Sequence, residues 1–408
     1  MKLLPFSIEL EKFIKKNSSL HDFSKFSPKS KQFLLEIYRQ MYLIYEKINI
    51  SNISNIISET PHIQNPDIEY IPKEIQTIIE NQTISIKSYR FHTKHRNIHV
   101  YFHFYSQSQI DQVQEYLTYI MMWLLIAENY ACHECSRNMN IYIYLTNHLK
   151  QLPLHNDNRR TISTSISNID RIHVNTGFTT SCQHTTNMTI FREEEWLKVF
   201  IHETFHNLGL DFLKSNNNSI ANKLILQIFP IKTQDIRIYE SYVEMFSEVL
   251  YLQFLIFFST IHKKNSQSML RKLENMMIME SYFSLFQCVK VLHFHQNMKY
   301  TDLYDTSNGS SQFKREQYME KTSIFSYFVM KSLLYFHKNE FLEWCIENNT
   351  NTIQFTKTRT NVEKYCHLIY RIHKDPLFLQ EIANMEQVLQ NIRRKIYKTT
   401  LRMTMYSI

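Results

Sequence analysis

The chain has 408 residues, of which 43% are hydrophobic and 21% charged, with a formal net charge of +8. That length and balance suit one large globular domain or two to three packed subdomains, and exclude a disordered polymer or a disulfide-dependent miniature scaffold. The positive charge is dispersed, and its densest run, NIRRKIYK near the C-terminus, reads as the solvated face of a helix, so no nucleic-acid partner is expected.

Residues 1–80 read as a helical region, with an amphipathic helix at KQFLLEIYRQMYLIYEKI and a loop marked by Pro61, Pro66 and Pro72. The opening MKLLPFSIELEKF lacks the apolar core of a signal peptide, which points to an intracellular protein. TISIKSYRF and NIHVYFHFY then alternate as strands, with Ile98, Val100, Phe102 and Phe104 on one face. IDQVQEYLTYIMMWLLIAENYA has helical spacing, and NIYIYLT is a third strand. RIHVNTGFTT and NMTIF are shorter strand candidates. Glu193, Glu194 and Glu195 are read as opening a helix at the positive end of its dipole. After Pro230 the pattern is helical almost to the end. The longest apolar runs, YIMMWLLIA and FLIFF, are too short to span a bilayer, so no membrane partner is expected. This order gives an α+β fold: a helical region over 1–80, a sheet-bearing subdomain over 81–235, and a helical subdomain over 236–408.

The chemistry concentrates in VFIHETFHNLGLDF, residues 199–212. On a helix, His202 and His206 share one face a turn apart, the spacing that lets two imidazoles hold one metal ion. Glu203 beside them serves as general base for a metal-polarised water. The flanks Val199, Phe200, Ile201, Phe205, Asn207 and Leu208 are uncharged, as such helices require; Thr204 departs from the bulky apolar residue usual after the glutamate. The run REEEWLKVFIHETFHNLGLDF resembles the zincin metallopeptidases, over about residues 85–260, and in this composition also uncharacterised metallopeptidase-like proteins of large DNA viruses. That resemblance implies a Zn2+ cofactor, a peptide or protein substrate, and a viral protein in the host cytoplasm or packaged in the virion. It also implies a mixed sheet with a backing helix behind the motif helix, and a substrate extended along an edge strand near Met188–Phe191.

Zincins divide by their third ligand. Gly209 fits the metzincin pattern, but the ligand position is Phe212, which cannot bind metal, and Asp211 is one residue off. The gluzincin pattern takes a glutamate from a following helix, and Glu240, Glu244 and Glu248 recur every four residues in RIYESYVEMFSEVLYLQFL. The resemblance makes Glu240 the metal ligand and Glu244 the partner orienting His202 or His206, with Asp211 or Glu244 as the competing third ligands. Glu248 is left outside the site. His293, His295, Tyr300, Tyr318 and Tyr327 are all candidates for the donor to the substrate carbonyl oxygen.

Only three glycines occur, Gly177, Gly209 and Gly309, so each is a candidate for a backbone requirement. Gly177 and Asn175 are candidate cleft residues, with Gly177 read first as a plain turn and otherwise as a close backbone approach. Cys132, Cys135, Cys182 and His184 form too weak a pattern for structural zinc, and the six cysteines are read as free thiols of a reducing interior. The leading reading is a zinc metallopeptidase; the alternative is a virion-associated or structural protein that keeps the fold without peptidase activity.

Overall fold

The structure is a computed structural model and describes residues 3–19, 26–48, 54–56, 65–153, 168–233, 236–260, 263 and 265–408. Pro61, part of the expected loop, lies outside them.

Alternation builds the sheet. β1 (Ser54–Ile56) pairs antiparallel with β2 (Ser85–His92), and β2 with β3 (Asn97–Phe104). Ile98, Val100, Phe102 and Phe104 fall on one face of β3 and are all buried. Helix Val113–Ala127 returns the chain so that β4 (Asn138–Tyr144) lies parallel to β3, as a crossover requires. β5 (Gly177–Thr179) is antiparallel to β6 (Thr185–Ile190), and β6 is parallel to β4. The sheet order is β1-β2-β3-β4-β6-β5.

Both faces of this mixed sheet are covered. Met139, Ile141 and Ile143 of β4 join the main core with Trp123 of the backing helix. The alternate residues Tyr142 and Tyr144 pack with Ile75 and Ile79 of helix Lys73–Gln82. The second half is helical, led by Tyr239–Ser259 and Ser266–Phe294. Leu10, Leu34, Trp123, Phe200, Phe246, Phe286 and Tyr406 belong to one continuous core, which ties the N-terminal helices, the sheet and the helical half together. Tyr239–Ser259 is the one described helix long and apolar enough to cross a bilayer, and 94% of its apolar window is buried within the protein.

Four expectations change. β6 is paired on both sides, so Met188–Phe191 is not an edge; β5 is, because the chain reaches the edge first and then folds inward. RIHVNTGFTT is a short helix, Arg171–Val174, capped by Asp170, and only then strand. Glu193–Glu195 precede the motif helix, which starts at Trp196; Glu195 has φ 63° and its carboxylate is turned away from the helix end. It accepts the N–H groups of Met403 (2.8 Å) and Thr404 (2.6 Å) and the Lys150 ammonium (2.5 Å). Burial would raise the Glu195 carboxyl, but Lys150, Lys198 and Arg402 outweigh it and hold its pKa below the ordinary value, so the acid anchors the C-terminal segment as a carboxylate. Finally, Cys135 and Cys182 form a disulfide across a sequence separation of 47, while Cys132, Cys288, Cys345 and Cys366 are free thiols. The two partners meet because β4 and β6, which each follows or precedes, are neighbours in the sheet.

Candidate metal centre

Helix Trp196–Asn207 is buried along its whole length, so each of its faces must be matched. Phe200, Ile201 and Phe205 enter the core. Thr204, the departure from the expected pattern, accepts the indole N–H of Trp123 at 2.6 Å, a bond no bulky apolar residue could supply. Asn207 ties the helix to the sheet: its Oδ1 accepts from Ser136 (2.6 Å) and Thr186 (3.2 Å), and its amide donates to Thr179 of β5 (2.9 Å). The helix ends on Gly209 at φ +67°. Leu210 N–H bonds Phe205 O (2.8 Å) and Gly209 N–H bonds His206 O (3.3 Å), the paired pattern of a Schellman cap. Gly209 is therefore a helix stop. Phe212, where a metzincin ligand would stand, packs against Tyr239, Tyr242, Phe355 and Tyr365.

The remaining face carries His202, Glu203 and His206 into a cleft of about 290 Å³. Glu240, in the first turn of helix Tyr239–Ser259, meets them there. His202 Nε2 lies 3.1 Å from Glu240 Oε2, His206 Nε2 lies 3.3 Å from the same oxygen, and the two Nε2 atoms are 3.2 Å apart. A tetrahedral ion with bonds of about 2.0–2.1 Å sets its ligand atoms about 3.3 Å apart. The three donor atoms already form that triangle. Among the described residues this is the one group of three or more His, Cys, Asp or Glu able to hold a metal ion.

Each imidazole is held from behind. His206 Nδ1 is 2.6 Å from Asp211 Oδ2, and His202 Nδ1 is 2.8 Å from Glu244 Oε1. The second approach is close but not aligned as a hydrogen bond. Glu244 in turn pairs with the buried Lys198 ammonium, one turn before His202. Such partners fix the ring orientation and turn both Nε2 atoms toward Glu240, where a metal ion would be held. Glu248, one turn further, pairs with Lys331 instead, away from the cleft. The glutamate stripe is thus buried throughout, each member matched to a cation or an imidazole.

The electrostatics fit a cation. Burial disfavours the imidazolium forms, yet the Glu240 and Asp211 carboxylates outweigh it and hold the His206 pKa well above its ordinary value. Glu240 itself sits in a buried position that would raise its pKa, but the two imidazoles bring it down to about 2. The metal-free site therefore gathers protons where a metal ion would place its charge. Glu203 goes the other way: burial raises its carboxyl above the usual range, only partly offset by the two imidazoles.

Of the five carbonyl-oxygen donors considered, Tyr327 alone lines the cleft. Its ring centroid is 6.1 Å from that of His202. Burial and the Glu240, Glu203 and Glu244 carboxylates push its phenol pKa well up, so it stays a proton donor. It stands in a π-helical segment, Phe325–Met330, a distortion that often marks functional positions. Tyr300 instead donates to His373 O and Tyr318 to Glu320. His295 is buried beside Tyr318, and His293 lines a separate cavity.

Asn175 and Gly177 both line the cleft. Asn175 Oδ1 accepts from Thr322 Oγ1 at 3.0 Å, joining the sheet side to the segment before Tyr327. Gly177 is a close approach and no turn: a Cβ there would lie 2.8 Å from Thr189 O, 3.1 Å from Val199 Cγ1 and 3.5 Å from Glu203 Cγ. Gly177→Ala is expected to cost about 1–3 kcal/mol, as overpacking does, by pushing β5 off Thr189 O and the Val199 side chain of the motif helix. Melting temperature and turnover measure this; wild-type values for both would show that β5 need not press on the motif helix. Sequence reasoning missed Arg171, Phe178, Leu213, Arg237 and Lys321 of the cleft wall, none of which carries a local signal.

No family model, no curated protein and no solved structure matches this chain. What stands is a mixed α+β protein with a buried His202–His206–Glu240 group that could hold a metal ion.

Proposed function

We propose that the protein is a zinc-dependent metallopeptidase of gluzincin type. The observation that carries this reading is the triangle of His202, His206 and Glu240 donor atoms with the Glu203 carboxyl beside it in one cleft. Two imidazoles and one carboxylate form a catalytic zinc set, and leave a fourth position for water or substrate. A zinc ion held there supplies Lewis acidity and a water acidic near neutral pH.

The chain's own groups supply the rest. Glu203, at a pKa raised by burial, accepts the proton of the attacking water and passes it to the leaving amine. The Tyr327 phenol donates to the carbonyl oxygen as negative charge develops on it. Among the described residues β5 is the outer strand, and its Gly177, Phe178 and Thr179 line the cleft, where an extended peptide adds as a further strand. Asp211 and Glu244 keep both imidazoles from swinging as charge builds.

The purified protein is expected to carry about one zinc per chain by elemental analysis. Chelation should abolish cleavage of quenched fluorescent peptides, and zinc should restore it. A natively folded protein that takes up no divalent ion would overturn this reading.

A further inference from the structure

We infer that Cys132, Cys135 and Cys182 form a thiol–disulfide exchange site, in which the exposed Cys132 displaces Cys182 from Cys135 and so frees the loop that tethers β5. This goes beyond the peptidase reading and does not depend on it.

The three cysteines meet at the end of the motif helix. Cys182 N–H donates to His206 O (3.1 Å), and Cys132 N–H donates to Leu208 O (3.4 Å). Gly209 packs on the disulfide between them: a Cβ there would lie 3.0 Å from Cys135 Sγ and 3.5 Å from Cys182 Cβ. Cys132 is an exposed free thiol, whereas Cys135 is only 1% exposed. Exchange depends on access to the sulfur that is attacked. A thiol from solution is shut out from Cys135 Sγ, so the attacking sulfur must come from within the chain.

The CHEC turn supplies it. Cys135 N–H donates to Cys132 O at 3.1 Å, which closes a four-residue turn. The first and fourth Cα atoms of such a turn lie within about 7 Å, and a disulfide spans about 4.4–6.8 Å. The buried Arg96 guanidinium fixes both ends: Nη2 donates to Cys132 O (2.8 Å) and Nε to Cys135 O (3.2 Å). Cys135 can therefore pair with Cys182 across the sheet or with Cys132 within the turn. In the exchange, Cys132 gives its proton to solvent and its sulfur bonds Cys135 Sγ. The Cys135–Cys182 bond breaks, its electron pair leaves on Cys182 Sγ, and that thiolate takes up a proton. One disulfide exists before and after, so no oxidant or reductant is consumed. The consequence falls on the cleft. Cys182 stands in the loop between β5 and β6, and its disulfide ties that loop to the segment entering β4. β5 pairs with β6 over three residues and supplies Gly177, Phe178 and Thr179 to the cleft. With Cys182 released, the strand keeps only noncovalent ties, such as the bond from Asn207 to Thr179 (2.9 Å), and opens more readily.

The full-length wild type, purified without reductant, is incubated in a buffer of reduced and oxidised glutathione. Samples are alkylated at intervals and their disulfides mapped by mass spectrometry. A Cys132–Cys135 form with Cys182 alkylated should build up from the Cys135–Cys182 form. In it, amides of residues 177–190 should exchange with deuterium about tenfold or more faster, as loss of a disulfide tie allows. Cys182→Ser treated with oxidised glutathione should close the Cys132–Cys135 bond directly and show the same fast exchange. Cys132→Ser should keep β5 protected in the glutathione buffer. Absence of the Cys132–Cys135 form in the wild type, or unchanged protection of residues 177–190 once it has formed, overturns the inference whether or not Cys182→Ser folds. Exchange of the disulfide in a protein that cleaves no peptide would leave this site standing and remove the peptidase reading alone.

Discussion

Glu203→Gln is expected to keep the metal and to lose hydrolysis, with kcat lower by about 10²–10⁴-fold, the range a positioned general base contributes. The substitution keeps shape and volume, and Glu203 is not one of the three converging donors, so metal content should match the wild type. What it removes is the proton acceptor. Glu203 suits that task because burial raises its carboxyl while the His202 and His206 imidazoles keep the shift from running further. A base whose pKa approaches the working pH moves a proton in both directions, from water and then to the amine. Unchanged turnover would remove Glu203 from the chemistry. Loss of metal in the variant would instead make Glu203 a ligand and dissolve the distinction drawn between it and Glu240. Glutamine also discriminates against the reading of a site that merely holds structural metal, for which turnover is not expected in either form.

How much of this site could be read from the sequence depended on how local its geometry is. His202 and His206 share a face because of the helix repeat alone; the same repeat on another helix lines up Glu240, Glu244 and Glu248, and the resemblance to gluzincins picks out the first two. The α+β layout with a mixed sheet and a helical second half follows from alternation and helical spacing over long segments. Contacts set by tertiary crossing were not legible. Strand β6 looked like an edge because nothing in NMTIF reveals that GFT will lie outside it. Asp211, one residue off the metzincin position, competes in the sequence as a third ligand, while its contact in the fold is with His206 Nδ1, which needs the Schellman turn at Gly209 to bring it back. Glu195 looked like a helix-dipole acid because its partners, Met403 and Thr404, lie more than 200 residues away in sequence. Tyr327 is one of five equal candidates in the sequence, and only the fold sets it apart, in a π-helical segment with its ring 6.1 Å from that of His202. The Cys135–Cys182 pair had no spacing signature, and its formation follows from the adjacency of two strands.

Glu240→Ala and Glu244→Ala should separate ligand from orienting partner by the size of the loss. Glu244 touches the ring of His202 from the far side, so its removal should weaken metal binding by about 10–100-fold, as loss of such a partner does. Glu240 supplies a donor atom of the triangle, and its removal should cost more than that range and leave a two-histidine site. The proton balance gives a second readout that a merely structural role would not move. In the metal-free protein, burial opposes the His206 cation, but Glu240 and Asp211 hold its pKa well above the ordinary value. Metal uptake must therefore displace a proton at neutral pH, and affinity should rise with pH until that pKa is passed. Without Glu240 the raising influence on both imidazoles is reduced, so the proton released near pH 7 should shrink and the rise in affinity should move to lower pH. Lys198 adds a check on Glu244: with that carboxylate gone, the buried ammonium loses its partner, and Glu244→Ala should lower the melting temperature as well as metal affinity. Isothermal titration in buffers of different ionisation enthalpy measures affinity and proton release together. Equal affinities in Glu240→Ala and wild type would return the third ligand to Asp211 or Glu244 and break the gluzincin assignment at its base.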